Sequence, residues 1–488
     1  MLTLLNNERS RFWLYGLAGL AGASICGYLI AKLGIAGAGV SVVMPIAFLI
    51  LVSVFVEPRI GLLLYLQLNF LIGVVARFLT IDVPFGTFID ASLILTMLSL
   101  MVNAKRYDWG RLHNPVFYLV GLWVFFTILE FFNPEAPYKP AWLYNFRKFS
   151  LYWILATCIV LVVPFRKSDI KILIRTWLFW SFLGALWGFK QQYIGLTAGE
   201  QNWLNMGAAK THVLFGVLRI FSFYTDASQF GAEMAATTLV CVIWFFEEKK
   251  WTYKLGYLFL ALVYFWGYAL SGTRSALFVL LGGYAFYLLL RKDIKKMLIG
   301  GAVALPVFII LMYTNIGSGN YQVQRMRTAL RPMEDPSFLL RLQNKQKLAL
   351  LMESFPFGAG LGTSEAVGQR FSPNHWASQI APDSWYVILW IETGKVGMTL
   401  YVIILVSIIA FGMWKVWQIK DPWLFKIMVT MLAELGGIAV MAYSNPVMGQ
   451  FPTSGVIFIS MAMLSICTQW DTDTSIERPL PKSAFIKV

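Results

Sequence analysis

Long apolar stretches alternate with short polar ones over most of the chain. The apolar runs lie near 12–31, 36–56, 60–79, 86–103, 115–132, 149–164, 170–189, 230–247, 254–270, 275–290, 297–314, 385–413, 424–442 and 453–468. A helix needs about 20 residues to cross a bilayer, and most of these runs reach or approach that length. A membrane β-barrel would instead show short segments of alternating polarity. The pattern predicts an all-α polytopic membrane protein of about 12–14 transmembrane helices. The run 385–413 is too long for one span and is interrupted by ETGKVG. It reads as a re-entrant piece followed by a full span, which is stable only where protein covers the backbone. The first run, from about Phe12, lacks a small-residue cleavage site ahead of a soluble domain. It reads as a retained span, not a removed signal peptide.

Lysine and arginine in the short connections orient the spans. With the N-terminus inside, the internal loops are AKRYDWGRLHN, RKSDIK, EEKKWTYK, RKDIKK and KVWQIKD, all basic. Arg9, Arg11, Arg478, Lys482 and Lys487 fall on the same side. The short external connections are nearly free of charge, apart from Lys32 and the 133–148 loop. Two long connections then lie outside, 191–229 and 315–384. Loops beyond about 15 residues are usually functional or disordered, and the second is too apolar and too well patterned for disorder. Within it, SFLLRLQNKQKLALLMES reads as an amphipathic helix. Arg341 and Lys345, four apart, share one of its faces, while Leu339, Leu342, Leu350 and Leu351 can lie against membrane or bundle. The chain so divides into N-terminal spans (1–190), central spans (191–314), a large outer loop (315–384), C-terminal spans (385–470) and a cytoplasmic tail (471–488).

Composition agrees. The 488 residues are 58% hydrophobic and 13% charged, against about 25% charged in soluble domains. A net charge of +15 in a soluble protein would point to nucleic acid; here most of it is positive-inside loop charge, and no nucleic-acid partner is expected. Cys26, Cys158, Cys241 and Cys467 all sit in apolar runs, with no zinc spacing and no disulfide framework.

Positive charge on the outer side needs a reason. Arg219, Arg274, Arg325, Arg327, Arg331, Arg341 and Arg370 all fall there. In LSGTRSA, Ser271 or Thr273 is placed to cap the next helix, which sets Arg274 in its first turn. A cation there is disfavoured by about 0.3–1 kcal/mol unless an anion is bound. Helix N–H groups, a hydroxyl and a guanidinium together suit a phosphate. The alternative is pairing with a carboxylate or with lipid headgroups. Asp226 and Gln229 have capping-box spacing, a structural duty; Arg219 has none. Gly358, Gly360 and Gly362 in FPFGAGLG fit a tight turn or a backbone nest for an oxygen anion. Asp383 at the mouth of a span is an N-cap, a general base or a sugar-hydroxyl ligand; Glu392 is an intramembrane carboxylate, functional by default unless it bonds Thr393 or an adjacent backbone amide. Trp376, Trp385 and Tyr386 are candidates to stack on sugars or to sit in an interfacial belt.

In this order, RIFSFYTDASQFG, LSGTRSA, RLQNKQKLALLMESFPFGAGLG and DSWYVILWIETGKVG resemble the O-antigen ligase and O-antigen polymerase family of bacterial envelope glycosyltransferases. The resemblance covers about residues 215–400; the N-terminal half matches only as hydropathy. It implies a GT-C-like bundle with a large periplasmic loop in the bacterial inner membrane. It also implies an undecaprenyl-diphosphate-linked glycan donor, a glycan or lipid A-core acceptor, and other polysaccharide-assembly proteins as candidate partners. No metal or other cofactor is expected. By position, Arg219, Arg274 and Arg341, with Lys345 beside them, look like the diphosphate-binding residues. Arg219 and Arg274 would then act in catalysis with Asp383 as the base. Glu392, His375, Gly360 and Trp385 are candidate substrate contacts. In the ligase branch the last segment usually opens with a histidine. Here Asp383 stands in its place, which favours a polymerase, with His375 eight residues away as an alternative base.

Two other classes compete. A transporter or flippase would carry charge near the midplane, for which Glu233, Glu392 and Glu434 are scattered candidates. A nucleotide-sugar enzyme would use a metal-binding DxD, and Asp471–Asp473 has that shape, but in the predicted cytoplasmic tail.

Overall fold

A computed structural model describes residues 34–78, 86–214, 216–292 and 336–472, with scattered positions over 22–32 and 298–333. Its regular structure is almost wholly helical, as the apolar pattern predicts. Among the described residues, eight helices are long and apolar enough to cross a membrane. They are Pro115–Phe132, Ala141–Val162, Lys167–Tyr193, Ala227–Glu247, Trp251–Ser271, Arg274–Arg291, Trp385–Val416 and Pro422–Met441. Four shorter apolar helices, Met44–Val56, Pro58–Val74, Gly86–Val102 and Thr453–Ile466, accompany them. The protein is therefore an all-α polytopic membrane protein. The expected spans at 12–31 and 297–314 fall largely outside the described residues.

The chain separates into two compact units, Met1–Ile60 and Gly61–Val488. In the first, the helix Ile35–Val56 carries Pro45 within it and ends at Glu57, whose amide donates to the Ser53 carbonyl. The second holds the core and every site residue considered below.

Helix starts in the second unit follow local chemistry. Asn114 and Asp421 cap helices that open with proline, each accepting from the amide two residues on, because proline at the first position lacks only an N–H that would be orphaned there. Asp226 accepts from the amides of Ser228 and Gln229. The Gln229 side chain bonds Thr453 instead of returning to the cap, so only half of the capping box forms.

Small residues let the central helices touch. A Cβ on Gly437 would lie 2.5 Å from the Val279 carbonyl oxygen, and one on Gly283 would lie 2.8 Å from that of Ala433. The helices Leu277–Arg291 and Pro422–Met441 thus meet backbone to backbone, the usual way spans associate where lipid supplies no hydrophobic drive. The helices Ala227–Glu247, Pro422–Met441 and Thr453–Ile466 are buried nearly all round.

Described residues from four of the loops expected to be basic and internal pair with one another or with a neighbouring helix at one end of this bundle. Lys167 pairs with Asp421 at 2.6 Å, Lys426 with Glu248 at 3.2 Å and Arg291 with Glu247 at 3.2 Å. Burial alone would raise the Asp421 carboxyl, but the Lys167 ammonium and the Trp423 amide outweigh it and hold it below the usual range. The opposite end carries the folded connections 191–229 and 353–384. One expected boundary shifts: residues 141–148, expected in a loop, belong to a helix that begins at Ala141 and widens into a π-turn over Arg147–Leu151.

Candidate functional site

The connection after Tyr193 is a packed structure. Thr197 and Glu200 form a capping box, and the buried Glu200 also accepts from Trp187 and Gln191 at 2.7 Å. Burial raises the Glu200 carboxyl, yet these donors win and hold it below its ordinary value. Gln191 grips both the amide and the carbonyl of Ser222, which has a positive φ of 51°. Arg77 donates to the carbonyls of Ser222, Tyr224 and Thr225. Its guanidinium lies 4.4 Å from the ring of Trp203 and 4.5 Å from that of Phe221. A two-residue hairpin, Val213–Leu214 with Val217–Leu218, turns at Gly216 and delivers Arg219.

His212 anchors that hairpin. Its carbonyl accepts from the Arg219 amide at 2.7 Å, and its Nε2 accepts from the Ala227 amide at 3.2 Å. Nδ1 faces the Ala208 carbonyl at 3.0 Å, so the pattern assigns a neutral ring protonated on Nδ1. Burial lowers its pKa from 6.5 to about 4, against the opposing pull of the Ala208 carbonyl.

Arg219 meets the SGTR turn. Its guanidinium donates to Thr273 Oγ1 at 2.9 Å, to the Ser271 carbonyl at 3.3 Å, to Ser228 Oγ at 3.3 Å and to the Thr211 carbonyl at 3.2 Å. These four oxygens fix the position of the guanidinium. Thr273 directly precedes Arg274, so the first two arginine motifs share one corner. Neither hydroxyl caps the next helix, contrary to the expectation. Thr273 donates to the Ala227 carbonyl, Ser271 to the Tyr268 carbonyl, and Arg274 opens a 3-10 turn.

Lys345 and Asp383 form a second cluster. The helix Pro336–Met352 exists as the amphipathic pattern predicts, and Leu348 and Met352 are its buried contacts. Leu339, Leu342, Leu350 and Leu351 are exposed, Leu350 at 72%. Lys345 Nζ lies 3.8 Å from the ring centroid of Tyr443. Lys345, Asp383, Asn344, Tyr443 and Ser444 line one open cleft with an apolar wall of Leu342, Leu348 and Val387. The side chain of Arg341 and all of Arg325 lie outside the described residues. Ser384, not Asp383, is the N-cap residue, and Ser384 Oγ donates to the Ala442 carbonyl. The segment after Ala442 joins the two clusters: Tyr443 and Ser444 line the cleft, and Gln450 donates to Asp226 beside the Arg219 corner.

The other four candidates lie within the protein framework. The helix Trp385–Val416 breaks at Gly394, where φ is 66° and ψ −171°. FPFGAGLG fills the break. Ala359 and Gly360 amides donate to the carbonyls of Ile391 and Glu392, and the Val396 amide donates to Pro356. Exposed helix backbone is thus paired by protein, the condition for a broken span. The Glu392 carboxylate, fully buried, accepts from Asn145 Nδ2 at 2.7 and 2.8 Å. It also accepts from the amides of Gly362 and Ser364 at 3.2 Å and from Ser364 Oγ at 2.6 Å. Of the three glycines expected to form a nest, only Gly362 turns its amide to the Glu392 carboxyl; the Gly358 and Gly360 amides donate to the backbone carbonyls of Phe355 and Glu392. Trp385, 2% exposed, stacks on Phe149 at 4.8 Å. His375 caps the short helix Trp376–Gln379 through Nδ1, is lowered in pKa by burial, and does not line the Asp383 cleft.

Arg77, His212, Asn145 and Gln191 escaped the sequence reading. Arg77 alone gave a signal, a cation inside an apolar run. Of the rival features, Asp471 accepts from the amides of Lys420 and Asp421, while Asp473 lies outside the described residues. Glu233 accepts from Trp177 and Ser181 within the bundle. Cys158, Cys241 and Cys467 are free and buried. Among the described residues no three His, Cys, Asp or Glu side chains gather as metal ligands.

Eight membrane-length helices among the described residues, with folded polar connections at one end, define a polytopic membrane protein. Residues 259–402 match the family model described as O-Antigen ligase. That stretch includes the SGTR turn, the Lys345 helix, the glycine loop and the break at Gly394. The match supports the O-antigen ligase/polymerase family, and with it a membrane glycosyltransferase of ligase or polymerase type. No curated protein matches the chain.

Proposed function

We propose that the protein transfers a glycan en bloc from undecaprenyl diphosphate to an acceptor hydroxyl on the periplasmic face of the bacterial inner membrane. Both termini are then cytoplasmic, and the acceptor is a second lipid-linked glycan, as in a polymerase. The observation that carries this reading is the corner where Arg219 bonds Thr273 immediately before Arg274. Two guanidinium groups there suit a diphosphate, whose charge grows as the sugar–phosphate bond breaks. Lys345 and Asp383 line a second cleft, linked to that corner by the segment from Tyr443 to Gln450. In this mechanism the acceptor oxygen bonds the anomeric carbon, its proton passes to the Asp383 carboxylate, and undecaprenyl diphosphate leaves with the electron pair. No metal is needed where guanidinium and ammonium groups supply the positive charge. Arg341, one helical turn before Lys345, is the third candidate for the diphosphate.

The match to the O-antigen ligase family model supports a second reading, a ligase, for which lipid A-core would be the acceptor. Glycan profiling of a deletion strain separates the two. Unpolymerised single repeats mean polymerase; accumulated long lipid-linked chains mean ligase. Arg219→Ala and Arg274→Ala are each expected to remove most transfer while membrane insertion stays at the wild-type level. Wild-type glycan lengths in either variant would overturn the site.

A further inference from the structure

Two short helices at the loop-covered end, Ala141–Phe146 and Glu365–Phe371, pack together and bring Phe371 against Tyr144 and against Tyr138 just before the first helix. Tyr138 lies nearly parallel to Phe371, with ring centroids 5.3 Å apart and planes at 17°. Tyr144 meets the same Phe371 ring at 5.1 Å. Both tyrosines are about half open, at 44% and 43% exposure. Charged groups edge the rings. The Arg370 guanidinium lies 5.1 Å from the Phe371 ring, and Lys148, four residues after Tyr144, bonds Glu365 at 2.7 Å. Glu365 has a positive φ of 54°, a left-handed conformation that side chains with a Cβ rarely adopt and that tends to persist where function holds it.

Tyrosines of an interfacial belt insert their rings among lipid headgroups one at a time. Here the rings meet one another across two segments, and one comes from a loop helix that spans nothing. A sugar ring offers an apolar C–H face and an edge of hydroxyls. Aromatic faces bordered by a guanidinium, an ammonium and a carboxylate match both parts. The position also fits. Lys148 Nζ lies 5.4 Å from the Trp385 ring, and Trp385 is two residues from Asp383.

We propose that Tyr138, Tyr144 and Phe371, edged by Arg370 and the Lys148–Glu365 pair, form a carbohydrate platform that holds glycan rings beside the Asp383 cleft. This rests on the glycan-transfer reading above. The test uses full-length protein in lipid nanodiscs and, as the probe, lipid-linked glycan extracted from a strain lacking the gene. Tyr138→Leu with Tyr144→Leu keeps apolar bulk but removes two ring faces. It is expected to raise the KM for glycan about tenfold, the scale of one to two lost ring contacts, with kcat changed far less. Tyr138→Phe with Tyr144→Phe keeps the faces and should stay within about twofold of wild type. Tyr253→Ala, an exposed tyrosine at the opposite end, should leave KM unchanged. Varying donor and acceptor in turn shows which glycan occupies the platform. An unchanged KM in the leucine variant beside an active wild type overturns the platform. Full activity in Arg219→Ala would instead strike the transfer reading itself.

Discussion

Glu392→Gln offers a quantitative probe of how the site is held. The two Glu392 oxygens accept five bonds from three residues, Asn145, Gly362 and Ser364. A carboxamide keeps the shape but replaces one oxygen with a donor. With its nitrogen in the Oε2 position, it faces the Gly362 amide and the Asn145 amide, and two bonds vanish. With the nitrogen at Oε1, the bonds from Asn145 and the Ser364 amide vanish, while Ser364 Oγ can turn to accept. Either way one lost bond ties the glycine loop, through Gly362 or Ser364, and the other belongs to Asn145. Leaving a buried amide unpaired costs about 1–3 kcal/mol, so local opening of 356–364 should become about tenfold more frequent, at about 1.4 kcal/mol per tenfold. Hydrogen–deuterium exchange read by mass spectrometry on peptides covering 356–364 measures this directly. Exchange of that loop within threefold of wild type would refute the argument that Glu392 clamps it. The Asp383 cleft should suffer in turn, since the same broken helix begins there.

Gly394→Ala is expected to prevent stable folding. Its φ and ψ lie in a region nearly exclusive to glycine, at a cost of order 1–3 kcal/mol, and a Cβ would stand 2.0 Å from the Pro356 carbonyl oxygen. Monodisperse yield in fluorescence-detected size exclusion reads the result, and a wild-type profile would contradict the close packing. His212 makes the 191–229 connection acid-sensitive. Its folded pKa, about 4, lies below the unfolded 6.5, so its contribution is complete above pH 6.5. That contribution falls by up to about 1.4 kcal/mol per unit as pH drops toward 4. Thermal unfolding in detergent should show this slope in wild type and a flatter one in His212→Gln; parallel curves would count against it.

Much of the architecture is written locally. Whether a run crosses a bilayer depends on its own length and polarity, so the spans from Pro115 to Met441 were legible, as was the amphipathic helix Pro336–Met352. Asp226 as a cap was legible for the same reason, since its acceptor sites lie two and three residues away. Arg219 and Arg274 stood out because charge on the less basic side of a membrane protein needs an explanation. The sequence could also place a break near ETGKVG, because glycine beside an intramembrane carboxylate is a local irregularity.

Only the tertiary structure decided what fills that break and what each polar group faces. Glu392 lies 28 residues from Ser364 and 247 from Asn145 along the chain. The three meet because helix packing closes those distances. Arg77 grips carbonyls 145 to 148 residues away, and Thr273 turns to Ala227 and Arg219 instead of capping its own helix. Composition and periodicity fix which segments leave water, because burial is a property of each segment. The partner of a buried charge is a property of the whole fold, since that charge must be satisfied by whatever groups the packing brings within about 3 Å.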